Sequence, residues 1–331
     1  MQSNTSSWLS RFSSLKKIGW VLKLLLLSVM LAYLYITIQG KGQNLKDVFR
    51  LLIENLQLRH WMELTIVALL TPVNWACEGK KWQLLAQKVE KITFFQSFKG
   101  VLAGLALGFL MPNNVGDAAG RVLSLQSERR FSGIGAALLA NGLQFYVSLL
   151  FGTLGWGYFL FQHSALQSWP QLILLILLLL TLIFGFWLIT QRKNAKKYLE
   201  HFRWFRWLAP FVVIIAQYEL IEIRRAFRWA MIRYAVFTVQ FGLLLFTFDV
   251  TLPLLAAISS IFLVFFAKTL IPTLNFLGDL GIREASSLYF FSFYAVDPAR
   301  IIAVTLTLWC VNIFFPVLVG VFWVMKMKWW Q

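Results

Sequence analysis

From Gln171 to Thr190 the chain runs for twenty residues without a charge, nearly all of them Leu, Ile, Phe or Trp. A helix of that length is about 30 Å long, the thickness of a bilayer's hydrocarbon core. Only structures that satisfy their own backbone groups persist in such a medium, so a run of this kind is a membrane helix. Other long apolar runs occupy 19–39, 61–77, 133–161, 232–248 and 299–324. Of 331 residues only 14% are charged, against about a quarter in a soluble chain. The fold class is therefore an all-α polytopic membrane protein. The formal charge of +17 does not indicate a nucleic-acid partner, because the basic residues stand beside apolar runs. Anionic lipid headgroups and control of topology account for that placement. Cys77 and Cys310 lie in apolar segments and read as free structural thiols, and His60, His163 and His201 have no ligand spacing.

Topology follows from charge. Residues 1–18 are a polar, basic cytoplasmic tail, and 326–331 form a short basic-aromatic tail at the other end. Gly19–Gln39 is an uncleaved first span. Residues 41–60 carry apolar positions at spacings of three and four, the pattern of an amphipathic helix on the outer surface. Trp61–Cys77 crosses back, and Glu78, Lys80 and Lys81 read as ordinary charges at its end. Phe98–Met111 and 116–126 are each too short to cross, and together they predict a re-entrant helical hairpin. Gly133–Phe161 crosses outward and Gln171–Thr190 returns. The following stretch, 191–233, holds ten Lys or Arg. It includes a basic amphipathic helix over 219–231, and the hairpin places the whole stretch inside, as the positive-inside rule requires. Ile232–Phe248 crosses outward. Leu252–Ile271 and Gly278–Phe293 form a second hairpin or two full spans, between which the charge rule does not choose. Ala299–Val324 returns inward. The expectation is one transmembrane domain over 19–325, with about six full helices and two oppositely oriented hairpins. It makes an inverted repeat with halves about 61–161 and 219–325, and both termini lie on the cytoplasmic side of the cell membrane.

The two hairpins share a motif. Pro112-Asn113-Asn114-Val115-Gly116-Asp117 leads to Arg121, and Pro272-Thr273-Leu274-Asn275-Phe276-Leu277-Gly278-Asp279 leads to Arg283-Glu284. Paired interruptions of apolar segments in two halves of a chain point to a transporter-type site at mid-membrane. The helix restarting after each glycine offers free N–H groups to a phosphate, and Arg121 and Arg283 add forked donors. Asp117 and Asp279 are also placed to cap those helices and to pair with their arginines at i,i+4. Lys268 is either a third headgroup cation or a side chain that snorkels to the interface. Glu284 either meets an ammonium or proton or pairs with Arg283 or Lys268. Asn141 and Gln144 either line the cavity or bond helix to helix, and helix packing is the favoured reading. The predicted headgroup-binding set is thus Asn113, Asn114, Gly116, Asp117, Arg121, Lys268, Asn275, Gly278, Asp279, Arg283 and Glu284. Both tips should face one polar cavity, with the Gly116 and Gly278 Cα atoms within about 15 Å.

These motifs, with Asn74-Trp75 and Lys81-Trp82 upstream, resemble the lysylphosphatidylglycerol synthase transmembrane-region family, over roughly residues 20–325. The resemblance implies a flippase-like membrane domain that moves a lipid between leaflets. Fused members carry a soluble synthase domain, which this sequence, ending at Gln331, does not show, so the lysyl-lipid cargo is not implied. Asn113-Asn114 also departs from the Pro-Gly common in the family. The implied partners are the bilayer, an anionic phospholipid or lipid-linked substrate, and a separate synthase or glycosyltransferase. No Walker loop, Ser/His/Asp set, metal cluster or cofactor motif occurs, so no catalytic residue, metal or cofactor is expected. Two further classes stay open: a membrane enzyme or accessory acting on lipid-linked glycans or aminoacyl-lipids, for which Asp117, Asp279 and Glu284 are the carboxylates at depth, and a non-transporting envelope scaffold.

Overall fold

The computed structural model describes residues 50–53, 60–110, 115–127, 132–163, 168–194, 209–270 and 279–326. Within them all regular structure is helical. The expected first span, most of the 41–60 helix and the hairpin tips at 111–114 and 271–278 lie outside the described residues. In chain order the helices are α1 (Trp61–Ala86), α2 (Phe94–Leu110), α3 (Val115–Leu123), α4 (Gly133–Gln162) and α5 (Trp169–Thr190). They continue as α6 (Ala209–Ala216), α7 (Leu220–Thr247), α8 (Leu254–Leu270), α9 (Ile282–Ser292), α10 (Pro298–Trp309) and α11 (Phe315–Lys326).

Four helical stretches are long and apolar enough to cross a membrane: Gly133–Gln162, Trp169–Thr190, Leu220–Thr247 and Pro298–Lys326. Helix α1 has the length, with 26 residues, but carries Glu63, Glu78, Lys80 and Lys81. It does not end at Cys77 as expected; it continues through the charged residues to Ala86. The expected division of 219–248 into a surface helix and a span also gives way to a single helix, α7. Both corrections have one cause. Glu78 of α1 and Arg233 of α7 pair with each other and with groups on neighbouring helices, so the backbone has no need to leave the helix at these charges.

Helices α2 and α3 pack as an antiparallel pair. The register is set by small residues, with Gly100 against Ser124, Gly104 against Asp117 and Gly120, and Gly108 near Asp117. A Cβ built on Gly120 would stand 2.3 Å from the Gly104 nitrogen, so the backbones touch and no larger residue fits between them. At 17 and 9 residues, these helices measure about 25 and 13 Å, each short of a ~30 Å core. Helices α8 and α9, with 17 and 11 residues, make the corresponding pair in the second half.

Helix α1 packs most extensively on α7, α2 rests on α11, and α8 rests on α4. Glycines allow the last two contacts as well, with Gly320 of α11 against Leu102 and Ala106 of α2, and Gly152 of α4 against Phe266 of α8. Between α10 and α11 the chain makes a single π-helical stretch, Cys310–Phe314. Pro316 has no N–H to give the Asn312 carbonyl four residues back, and the Trp75 indole N–H donates to that carbonyl instead at 3.1 Å. Helix α5 is peripheral; Leu178 is its one buried residue, as suits a helix whose other sides meet lipid. Its end is tied inward by Arg192, whose Nε donates to the Tyr218 carbonyl at 2.7 Å. The Tyr218 hydroxyl donates to the Leu85 carbonyl, and burial pushes its pKa up, which keeps it a donor.

Candidate functional site

Asn74, Glu78 and Lys81 fall on one face of α1 because they are separated by four and three residues. Glu78 is fully buried. Its carboxylate lies 2.7 Å from Lys81 Nζ, 2.9 Å from Arg121 Nη1 on α3 and 3.0 Å from Arg233 Nη1 on α7. These contacts are close ion pairs in which neither carboxylate oxygen makes an aligned hydrogen bond. The reading of Glu78 as an ordinary helix-end charge is therefore corrected: it is the anion on which three helices converge. An isolated carboxylate at that depth would cost several kcal/mol, and so would each of the three cations without it.

Around this centre the polar side chains form a connected set. Arg121 also holds Asp117 one turn back on α3, with Nε and Nη2 each 3.0 Å from Oδ1. The Asn141 amide on α4 donates to the other Asp117 oxygen at 3.1 Å. Arg233 Nε donates to the Asn74 side chain at 3.0 Å, and the Asn74 amide faces the Asn312 side-chain oxygen at 3.5 Å. Gln144 on α4 accepts from Lys81 at 3.4 Å and from Arg233 at 3.5 Å. Asn141 and Gln144, expected to serve helix packing, do bond helix to helix and also line a cavity.

In the second motif the i,i+4 pair again occurs, with Arg283 Nη2 3.4 Å from Asp279. Its local structure differs from the first copy. Asp117 lies inside the first turn of α3, whereas Asp279 stands before α9 in a turn with φ of 72°. Asp tolerates that left-handed region better than most residues, and Gly281, at φ 96°, completes the turn at no steric cost. Helix α9 thus starts after Gly281 rather than after Gly278. Its cap is the Glu284 carboxylate, which accepts the Gly281 N–H at 2.5 Å. Glu284 also lies 3.6 Å from Arg283 Nε, while Lys268 pairs with Asp279.

A cavity of about 340 Å³ opens among these helices, with Glu78, Asp117, Arg121, Arg233, Lys268 and Asp279 in its wall. Trp75, Phe109, Phe145, Phe237 and Phe265 supply its apolar surface. Charged residues from both copies of the motif therefore meet one space. The cations differ in access. The Arg121 and Arg283 side chains are 4% and 1% exposed and paired with carboxylates, whereas those of Arg233 and Lys268 are 15% and 30% exposed. Arg283 is absent from the cavity wall. Glu284 stands beside it, and Gly116 is buried against Leu107 and Gly108. Asn113, Asn114, Asn275 and Gly278 lie outside the described residues, as does the expected Gly116–Gly278 approach.

Sequence reasoning placed Arg233 in the inner basic segment and used Asn74 and Trp75 for the family resemblance, not as site residues. A signal was present: Asn74, Glu78 and Lys81 repeat at helical spacing on a largely apolar helix, and Arg233 and Gln240 lie seven apart on α7. No curated relative and no solved structure matches the chain. The family model described as the lysylphosphatidylglycerol synthase TM region matches residues 20–320. With most of its length matched, its apolar helices and a charged site buried among them, this membrane protein belongs to the lysylphosphatidylglycerol synthase transmembrane-region family.

Proposed function

We propose that the protein is a flippase-like lipid translocator that takes an anionic lipid headgroup into the cavity between two re-entrant hairpins. The observation that carries this reading is the meeting of Asp117 and Arg121 from one motif with Lys268 and Asp279 from the other in the wall of one cavity. The short pairs α2–α3 and α8–α9 suit hairpins that enter from opposite faces. The way α2 rests on α11 while α8 rests on α4 is the exchange expected of two halves related by an axis in the membrane plane. Phe145 lines the cavity and is 43% exposed, and on this reading it marks a side entrance through which a headgroup passes with its chains still in lipid. Asn113, Asn114, Asn275 and Gly278 stay in the proposed set as tip residues, and Arg121, Arg283 and Glu284 hold the tips in place. Arg233 joins the set as a headgroup cation beside Lys268.

Asp117, Asp279 and Glu284, the carboxylates an enzyme would draw on here, each stand beside an arginine, and on this reading they serve as its counter-ions.

The test is reconstitution into liposomes carrying a fluorescent phosphatidylglycerol, with a membrane-impermeant quencher added outside. Wild-type protein should bring the inner-leaflet probe out to the quencher, and Arg233→Gln should slow this by about tenfold or more, the loss of one charge-assisted hydrogen bond. Quenching limited to the outer leaflet with correctly folded wild-type protein would end the translocator reading.

A further inference from the structure

We infer that the cavity is matched to a single negative charge, and that its ligand is therefore a phosphodiester monoanion rather than a dianionic monoester or a diphosphate. This deepens the anionic-lipid reading and rests on it. The charged groups at the cavity form two sets, Lys81, Arg121 and Arg233 against Glu78 and Asp117, and Lys268 and Arg283 against Asp279 and Glu284. Among the described residues this leaves one positive charge without a counter-charge. The tips at 111–114 and 271–278 contain no Asp, Glu, Lys or Arg, so they do not alter the balance.

The surplus has a location. Glu78 serves three cations while Asp117 is bonded only to Arg121 and Asn141, so the deficit falls on the Glu78 cluster. Within that cluster Lys81 is fully buried and Arg121, though in the wall, is held by two carboxylates, so Arg233 is the cation most open to the cavity. Lys268 approaches from the other half, with two of its three ammonium donors not committed to Asp279. The Arg233 and Lys268 head groups lie 5.7 and 5.9 Å from the centre of the same Phe237 ring, so they flank one spot on the wall. A phosphodiester has two free oxygens and one charge, enough to meet both cations and cancel the surplus. A second negative charge in that space would face Asp117 and Asp279 with nothing left to neutralise it, a costly arrangement away from water.

The test uses the full-length protein in detergent, with bound phosphatidylglycerol followed by native mass spectrometry under competition. Dodecyl diphosphate supplies the extra charge, soluble glycerophosphoglycerol supplies the diester without chains, and inorganic phosphate supplies the bare anion. Unlabelled phosphatidylglycerol should displace at a concentration about tenfold below that of dodecyl diphosphate, a margin of one well-placed charge contact. Asp117→Asn, which raises the surplus to two charges, should reverse that order. Lys268→Gln, which brings the net charge of the two sets to zero while leaving the Glu78 cluster intact, should bring phosphatidylglycerol binding down to that of zwitterionic phosphatidylcholine. Equal displacement by diester and diphosphate in the wild type, or an unchanged order in folded Asp117→Asn, would overturn the single-charge match and leave the anionic-lipid site standing. Displacement by glycerophosphoglycerol as strong as by the lipid would keep the charge match but overturn the lipid. If no anionic lipid displaces the bound one, both readings fall together.

Discussion

Glu78 and Lys268 illustrate two ways in which a membrane protein can keep a charge at depth. Glu78 is enclosed, and three cations depend on it. Replacing it by alanine strands them, and the stability lost should be about 3–5 kcal/mol, the range found when one partner of a buried pair is removed. Thermal unfolding of the solubilised protein, read by the loss of its monodisperse peak, would show this as a large fall in midpoint or as no folded protein at all. Lys268 is held by one carboxylate and is partly open. Lys268→Gln should cost about 1 kcal/mol or less in the same assay while changing ligand binding. A Glu78→Ala protein as stable as wild type would mean that the three cations have other ways to be satisfied. The motif arginines were legible in sequence as i,i+4 partners of their aspartates. Their burial was not, because depth depends on helices that lie far away in the chain.

At the level of elements, the α2–α3 pair depends on backbone contact. Gly120→Leu would push its side chain into the Gly104 backbone. Overpacking typically costs about 1–3 kcal/mol, and more is expected here because the obstacle is main chain. The pair carries Asp117 and Arg121, so separation of its arms should also disable the site. Gly320→Leu on α11 would meet the same kind of obstacle, because a Cβ there stands 2.1 Å from the Leu102 carbonyl oxygen of α2, and it should lower the unfolding midpoint of the solubilised protein. An unchanged midpoint would argue against that contact. The shortness of these helices was readable from where the apolar runs stop. The start of α9 after Gly281 was not, because it depends on the Asp279 turn and the Glu284 cap, which two similar motifs do not disclose.

At the level of the whole molecule, orientation can be tested from outside the cell. A single cysteine at position 165, between α4 and α5, should react with an impermeant thiol reagent, and one at position 195, after α5, should not. The uncharged 162–170 stretch and the ten-cation 191–233 stretch motivate this under the positive-inside rule. Reversed labelling would remove the opposed hairpins and, with them, the inverted repeat.

Length, apolarity and charge by themselves determined that this chain is a helical membrane protein with one pair of helices too short to cross and a duplicated Gly-Asp-x-x-x-Arg motif. These properties are local, since a run either can or cannot fill a bilayer, and a pair at i,i+4 meets wherever a helix forms. Only the tertiary structure decided which charges share a space. It set Glu78 among three cations from three helices, gave Asp117 and Asp279 one cavity despite their separation in sequence, and left Arg233 and Lys268 as the open cations. The physical reason is that a charge in an apolar medium is stabilised by whatever stands within a few ångströms of it, and on long helices those neighbours come from distant parts of the chain.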